Sequence, residues 1–291
     1  MSFLDILTET RFTVTEVALR LDEGQAPLAA NSGAGAGGVT GGGALFALNR
    51  NRNRNRNRNR NRNRNRNRNR NRSDQPGPDL EILEPWKERA RLHKRAADWI
   101  DLPLAPPPDP DQLRMEALDL LEKQYRLRLP EEAIRREEIL IEADLELSRY
   151  LRPLGIETSG GFDATVHLML VTLALTDEIG LRYKARWNLP RPNQIEPRLR
   201  PFIPQPAHAS YPSNHAFQSF ALAFLFCRLL PEHPASSELF RSARRIAENR
   251  EWAGLHFAAD TQAGYELARM ITPVLEEVLE ELMLAAQEEW F

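Results

Sequence analysis

Three polar stretches stand where this sequence should pack or turn. The first is Lys184-Ala-Arg-Trp-Asn-Leu-Pro-Arg191-Pro192. The second is Pro212-Ser213-Asn214-His215, directly before the apolar run Ala216–Leu230. The third is Asn249-Arg250, then five residues, then His256, then three more, then Asp260. Lys184, Arg191 and Arg250 supply three permanent cations. Ser213 supplies a hydroxyl at a helix start, where the first-turn N–H groups point outward without intrahelical partners. A helix N-terminus ringed by cations is an anion site, best matched to a tetrahedral oxyanion. Of His215 and His256, one can act as nucleophile and the other as general acid, the two roles that phosphoryl transfer uses. Asp260, four residues beyond His256, can hold the far ring nitrogen and fix the tautomer. Arg191 lies between two prolines, which hold its backbone extended. Taken alone, His215 reads as a first-turn histidine with a satisfied hydrogen bond; the company of the other groups gives it work to do.

In this order and at these spacings, the three stretches resemble the superfamily of type-2 phosphatidate phosphatases, bacterial class A acid phosphatases and vanadium haloperoxidases. That family's pattern is Lys-x6-Arg-Pro, then Pro-Ser-Gly-His, then Ser-Arg-x5-His-x3-Asp, and the match runs from Lys184 to Asp260. The resemblance implies a helical bundle in which His256 attacks phosphorus, or ligates vanadate. It implies that His215 is the general acid and base, and that Lys184, Arg191, Arg250 and Ser213 hold the oxyanion. Two positions depart from the pattern. Asn214 stands in place of glycine, keeping its backbone N–H for the anion while its side chain is expected to narrow the site. Asn249 stands in place of serine. The first functional reading is an acid-phosphatase-like phosphomonoester hydrolase, which needs no cofactor and takes a small phosphorylated substrate. The second is a haloperoxidase with vanadate bound through His256, acting on halide and peroxide; "PFIPQPAHASYPSNHA" looks more like that version. The spacing of His256 and Asp260 also allows a metal, but three neighbouring cations argue against a divalent ion, and no metal is expected.

The elements that position these groups read as helices. Apolar residues recur at helical spacing in 80–100, 110–127, 130–151 and 160–187, then in 212–230, 236–252 and about 261–288. No convincing alternating strand is present. The expected fold class is all-α, a bundle of six or seven helices over residues 79–291. Residues 1–78 read as a disordered arm, because a glycine-rich stretch followed by Asn-Arg repeated twelve times from Asn49 to Arg72 offers no apolar face. Forty-one acidic residues face 39 basic ones, of which twelve lie in that tract, so the remainder of the chain is acidic by fourteen. The tract reads as a repeat expansion in a linker, since it lacks aromatic residues for base stacking. Its alternative is an electrostatic strap for nucleic acid or another acidic surface, the non-enzymatic third reading. The single cysteine, Cys227, excludes an intrachain disulfide. No signal peptide is evident and no stretch reads as a membrane span, so a soluble, cytoplasmic protein is expected. The remaining histidines are expected to be structural: His208 beside the site or in solvent, His167 in the core, His93 and His233 at the surface.

Overall fold

The computed structural model describes residues 85–143, 147–157 and 161–291, together with three short strands nearer the N-terminus. These strands, β1 (Phe12–Val14), β2 (Leu19–Leu21) and β3 (Val39–Thr40), pair antiparallel in the order β2–β1–β3, with Thr13 opposite both Arg20 and Thr40. They add to a sequence in which no strand was evident. Two or three residues are too few to show alternation, although Val, Thr and Phe suit a pleated strand. The rest of the arm over residues 1–78, including the Asn-Arg tract, lies outside the described residues. The chain divides into two compact units, residues 1–93 and 94–291. Helix α1 (Trp86–Lys94) crosses their boundary, and His93 within it is buried rather than at the surface.

The second unit is helical. Helix α2 (Pro110–Arg126) starts with Pro110 at its first position, and the Asp109 carboxylate accepts from Asp111 N and Gln112 N, both at 2.9 Å. The single helix expected over 130–151 is divided. A 3₁₀ turn at Pro130–Glu132 leads into α3 (Ala133–Glu142), and a further helical turn at Ser148–Leu151 ends at Gly155 in the left-handed region (φ 76°). Helix α4 (Asp163–Trp187) is apolar on most of its circumference and stops at Asn188, also left-handed (φ 45°). Then come α5 (Asn214–Leu229), α6 (Ser236–Trp252), α7 (Ala258–Val278) and α8 (Glu280–Gln287). The last predicted helix thus begins three residues early and breaks at Leu279, while Pro273 is accommodated inside α7.

Helix α5 is the centre. It packs against α7, α6 and α4 and buries Phe217, Ala221, Leu225 and Phe226. Each large side chain so buried contributes about 1.5–3 kcal/mol. Close approach of α5 to α7 depends on Gly264. A Cβ there would lie 2.7 Å from Ser213 O and 2.9 Å from Phe217 N, so only glycine lets the first turn of α5 rest on α7. The C-terminal segment returns to the start of α4. The Glu289 carboxylate accepts from Ala164 N and Thr165 N at 2.7 and 2.8 Å, and Trp290 Nε1 donates to Thr165 Oγ1. His233, expected at the surface, is half-buried; its ring meets Trp290 edge-on and its Nδ1 accepts from Ala235 N. His167 is half-buried rather than deep in the core.

One membrane-related expectation is corrected. The stretch Asp163–Ile195 is long and apolar enough to cross a membrane by length and composition, with a mean hydropathy of 1.4 over its best window, and 56% of that window is buried inside the protein. The short apolar runs visible in sequence had concealed this, because the polar residues Thr172, Thr176 and Asp177 interrupt them. The threonine hydroxyls bond back to helix carbonyls, Thr172 to Leu168 O and Thr176 to Thr172 O.

Candidate active site

The last turn of α4 and the first turns of α5 and α7 meet around the three polar stretches. Lys184 is buried, and its Nζ donates to the carbonyls of Ala209, Ser210 and Pro212 at 3.1, 2.7 and 2.5 Å. It thereby ties the end of α4 to the loop that enters α5. Arg191 has the extended backbone expected between prolines (φ −74°, ψ 156°). Its Nη1 donates to Leu255 O at 2.8 Å, its Nε to His208 O at 3.1 Å, and its Nη2 stands 3.1 Å from His208 Nδ1. Burial pushes this guanidinium down to about 10, against the opposing pull of Asp260. Ser213 caps α5, with Oγ accepting from Ala216 N at 3.4 Å, and its own N–H donates to Asp260 O at 2.9 Å. Arg250 is fully buried. Its Nη2 donates to Glu142 Oε2 at 2.8 Å and Ile139 O at 3.2 Å, while Nε and Nη1 are buried with no hydrogen-bond partner among the described residues. Two unpaired donors on a buried cation are costly, on the order of 1–3 kcal/mol each or more. Such donors call for an acceptor, and a bound oxyanion would be one.

His256 is buried between Asp260 and Arg191. Its Nδ1 lies 2.9 Å from Asp260 Oδ2, and its Nε2 lies 3.1 Å from Arg191 Nη1. A guanidinium can only donate, so Nε2 is the accepting nitrogen and the Nδ1 proton goes to the Asp260 carboxylate. The lone pair of Nε2 therefore faces the cations. Burial, then Arg191, Lys184, His215 and His208, hold the ring well below the usual imidazole range. His215 is lowered too, first by burial and then by the charges of Arg250, Lys184 and Arg191. Both histidines thus feel the charges of Arg191 and Lys184, and His215 that of Arg250 as well. Asp260 is fully buried. Its Oδ2 accepts from Ser210 Oγ at 2.5 Å and Phe257 N at 3.1 Å as well as from His256. Burial raises it to about 6 despite those bonds and the nearby Lys184 and Arg191. Glu116 Oε2 accepts from Ala259 N at 3.0 Å, so a residue of α2 caps the helix that carries Asp260.

Among the predicted residues the structure brings together Lys184, Arg191, Ser213, His215, Arg250, His256 and Asp260. Asn214 differs. Its side chain does not narrow the cage; Nδ2 donates to Asp177 Oδ1 at 3.0 Å. The reason is Gly180, where a Cβ would fall 2.2 Å from Asn214 Oδ1. A bare backbone on α4 makes room for the side chain that the pattern's glycine would lack. Asn249 also faces away, toward Arg135, Glu138 and Glu142. His208 is more than a bystander, since it braces Arg191 through both backbone and ring. The sequence reading missed Ser210, Asp177 and Glu142. Ser210 lay inside the quoted "HASYPSNH". Glu142 had a weaker signal, an acidic residue at the same helical spacing as buried Arg135 and Ile139. Among the described residues no group of three His, Cys, Asp or Glu side chains could hold a metal ion.

Residues 165–279, from the first turn of α4 to the C-terminal end of α7, match the family model described as PAP2 superfamily. An acid phosphatase of Zymomonas mobilis subsp. mobilis is 30% identical over 146 residues, covering 44% of this chain and 51% of that one; the chain spans about half the length of that curated relative. Among solved structures, the crystal structure of the first transmembrane PAP2 type phosphatidylglycerolphosphate phosphatase from Bacillus subtilis is 16% identical. It covers 59% of this chain and 96% of that one, with a TM-score of 0.33.

Proposed function

With residues 165–279 identified as a PAP2-superfamily domain, we propose that the protein is a phosphatase that hydrolyses phosphomonoesters through a phosphohistidine. The observation that carries this reading is the state of His256, an imidazole whose Nδ1–H donates to Asp260 and whose Nε2 lone pair lies against Arg191, under the charges of Arg191 and Lys184. The likeness to an acid phosphatase supports it. The phosphoryl oxygens take the free donors of Arg250 and the first-turn N–H groups of α5, and the Lys184 ammonium, whose three donors are held by carbonyls, contributes its charge. Arg191 Nη1 passes from Nε2 to the anion. His256 Nε2 then attacks phosphorus, the P–O bond to the leaving group breaks, and His215 gives that oxygen its proton. Water, deprotonated by His215, attacks the phosphohistidine; the P–N bond breaks and phosphate leaves. Asp260 keeps the Nδ1 proton in place and balances the charge on the ring. His215 is held neutral by burial and the surrounding cations, and an arriving anion offsets those charges, so the substrate itself helps to protonate its acid.

A second reading follows from the same atoms. Vanadate is also tetrahedral, and an unprotonated Nε2 among cations suits it as well as it suits phosphate. Lys184, Arg191, Arg250 and Ser213 would hold its oxygens and His256 its metal; bound vanadate would supply halide oxidation by peroxide. One preparation separates the two, assayed for p-nitrophenyl phosphate hydrolysis and for bromide oxidation after vanadate loading. The phosphatase reading expects hydrolysis that falls about 10⁴-fold or more in His256→Ala and about 10²- to 10⁴-fold in His215→Ala. Bromide oxidation without hydrolysis would reverse the order of the two readings.

A further inference from the structure

We propose that Glu142, on a helix outside the segment that matches the PAP2-superfamily model, is a positioning residue that aims Arg250 at the oxyanion, with Asn249 as its clamp. The inference rests on the cage as read above and extends it to α3. Glu142 reaches a cage member on another helix. Its Oε2 accepts from Arg250 Nη2 on α6 at 2.8 Å. Ile139 O, one turn earlier, accepts from the same Arg250 nitrogen. Holding Nη2 from behind leaves Nε and Nη1 as the donors without partners among the described residues. The carboxylate is itself immobilised. Asn249 Nδ2 donates to both of its oxygens, at 2.9 and 3.1 Å, and Arg149 Nε stands 3.4 Å from Oε1. Asn249 Oδ1 in turn accepts from Arg135 Nη1 at 2.9 Å.

This arrangement accounts for the departure at position 249. A serine there carries a single O–H on a shorter stem and cannot donate to Glu138 and Glu142 together, as the two N–H groups of the Asn249 amide do. The Glu142 side chain is only 2% exposed, and that of Arg250 is 0%. Burial pushes the Glu142 carboxyl up, and Arg250, Asn249 and Arg149 oppose that push. A buried pair of this kind is poor evidence for stability but suits the fixing of a geometry.

The test is a double-mutant cycle read by calorimetric binding of orthovanadate to the full chain, with melting temperatures alongside. Glu142→Gln is expected to bind about tenfold more weakly and Arg250→Gln about a hundredfold, with the double variant within about twofold of Arg250→Gln alone. That non-additivity is the signature of action through Arg250; a merely structural role would multiply the losses. Parent-like affinity in Glu142→Gln, or multiplied losses in the double variant, would overturn the proposal. Should Glu142→Gln fail to fold, Asn249→Ser leaves every charge in place and is expected to bind about three- to tenfold more weakly, again with no added loss beside Arg250→Gln; parent-like affinity there would equally overturn it. A parent chain that neither binds orthovanadate nor hydrolyses phosphate esters would instead bring down the reading of the cage itself.

Discussion

His256 and His215 sit as neutral rings among permanent cations, and that placement has a consequence for stability. The native state of His215 resists protonation below its ordinary value of 6.5, whereas the unfolded chain accepts a proton there. The unfolded state thus binds more protons, and stability is lost as the pH falls from about 6.5. Asp260 works in the opposite sense. Raised from 3.8 to about 6, it takes its proton earlier in the native state, so it adds stability as the pH falls through that interval. His215→Gln removes one of the two destabilising titrations. Its melting temperature is expected to vary less between pH 6.5 and 4 than that of the parent, by thermal denaturation at fixed ionic strength; an equal or steeper dependence would contradict the assigned protonation. At this scale the sequence was most informative where the chemistry is carried by charge and spacing. Lys184, Arg191, Arg250, His256 and Asp260 could be read because each belongs to a short stretch. Ser210, Asp177 and Glu142 could not, since each acquires its role from a partner 37 to 108 positions away.

The helices position these residues through two glycines as much as through caps. Gly264 lets the start of α5 lie on α7, which carries the Ser213 N–H to Asp260 O. Gly180 receives Asn214. The second contact makes a sharp expectation: Gly180→Ala puts a methyl group where Asn214 Oδ1 now lies, forcing that side chain out of its place beside the cage. A loss of about 1–3 kcal/mol is expected from the clash, with a fall in activity. Adding Asn214→Gly to the same chain is expected to restore both, measured by denaturant unfolding and phosphate-ester turnover. A double variant as impaired as Gly180→Ala would show that the pair is not complementary. Helix existence was legible from the 3.6-residue period and, for α5, from the Ser213 cap. The breaks after Glu142 and at Leu279 were not, for neither carries a proline or glycine. The start of α7 was missed because its N-cap is Phe257, which has no side-chain acceptor, and the carboxylate that bonds Phe257 N is Asp260, already assigned to chemistry.

Over the whole molecule the same economy recurs, with distant segments closing on the core helices. Glu289 near the C-terminus satisfies two N–H groups at the start of α4, where capping and the helix dipole both favour a carboxylate. Glu289→Ala is expected to lower unfolding stability by about 0.5–2 kcal/mol with little change in turnover, because α4 delivers Lys184 from its opposite end; unchanged thermal stability would show the contact to be idle. The bundle could be foreseen because apolar periodicity demanded burial. The crowding of α5 among α4, α6 and α7 could not, since it depends on which surfaces happen to be complementary. What the assembled molecule is said to do reduces to one bond, between His256 Nε2 and phosphorus. The direct measurement is mass spectrometry of the full chain quenched during turnover of p-nitrophenyl phosphate under alkaline conditions, which preserve phosphohistidine. The account predicts one phosphoryl group on the peptide carrying His256 and none in His256→Ala. Rapid hydrolysis with no such adduct, or an adduct that persists in His256→Ala, would contradict it.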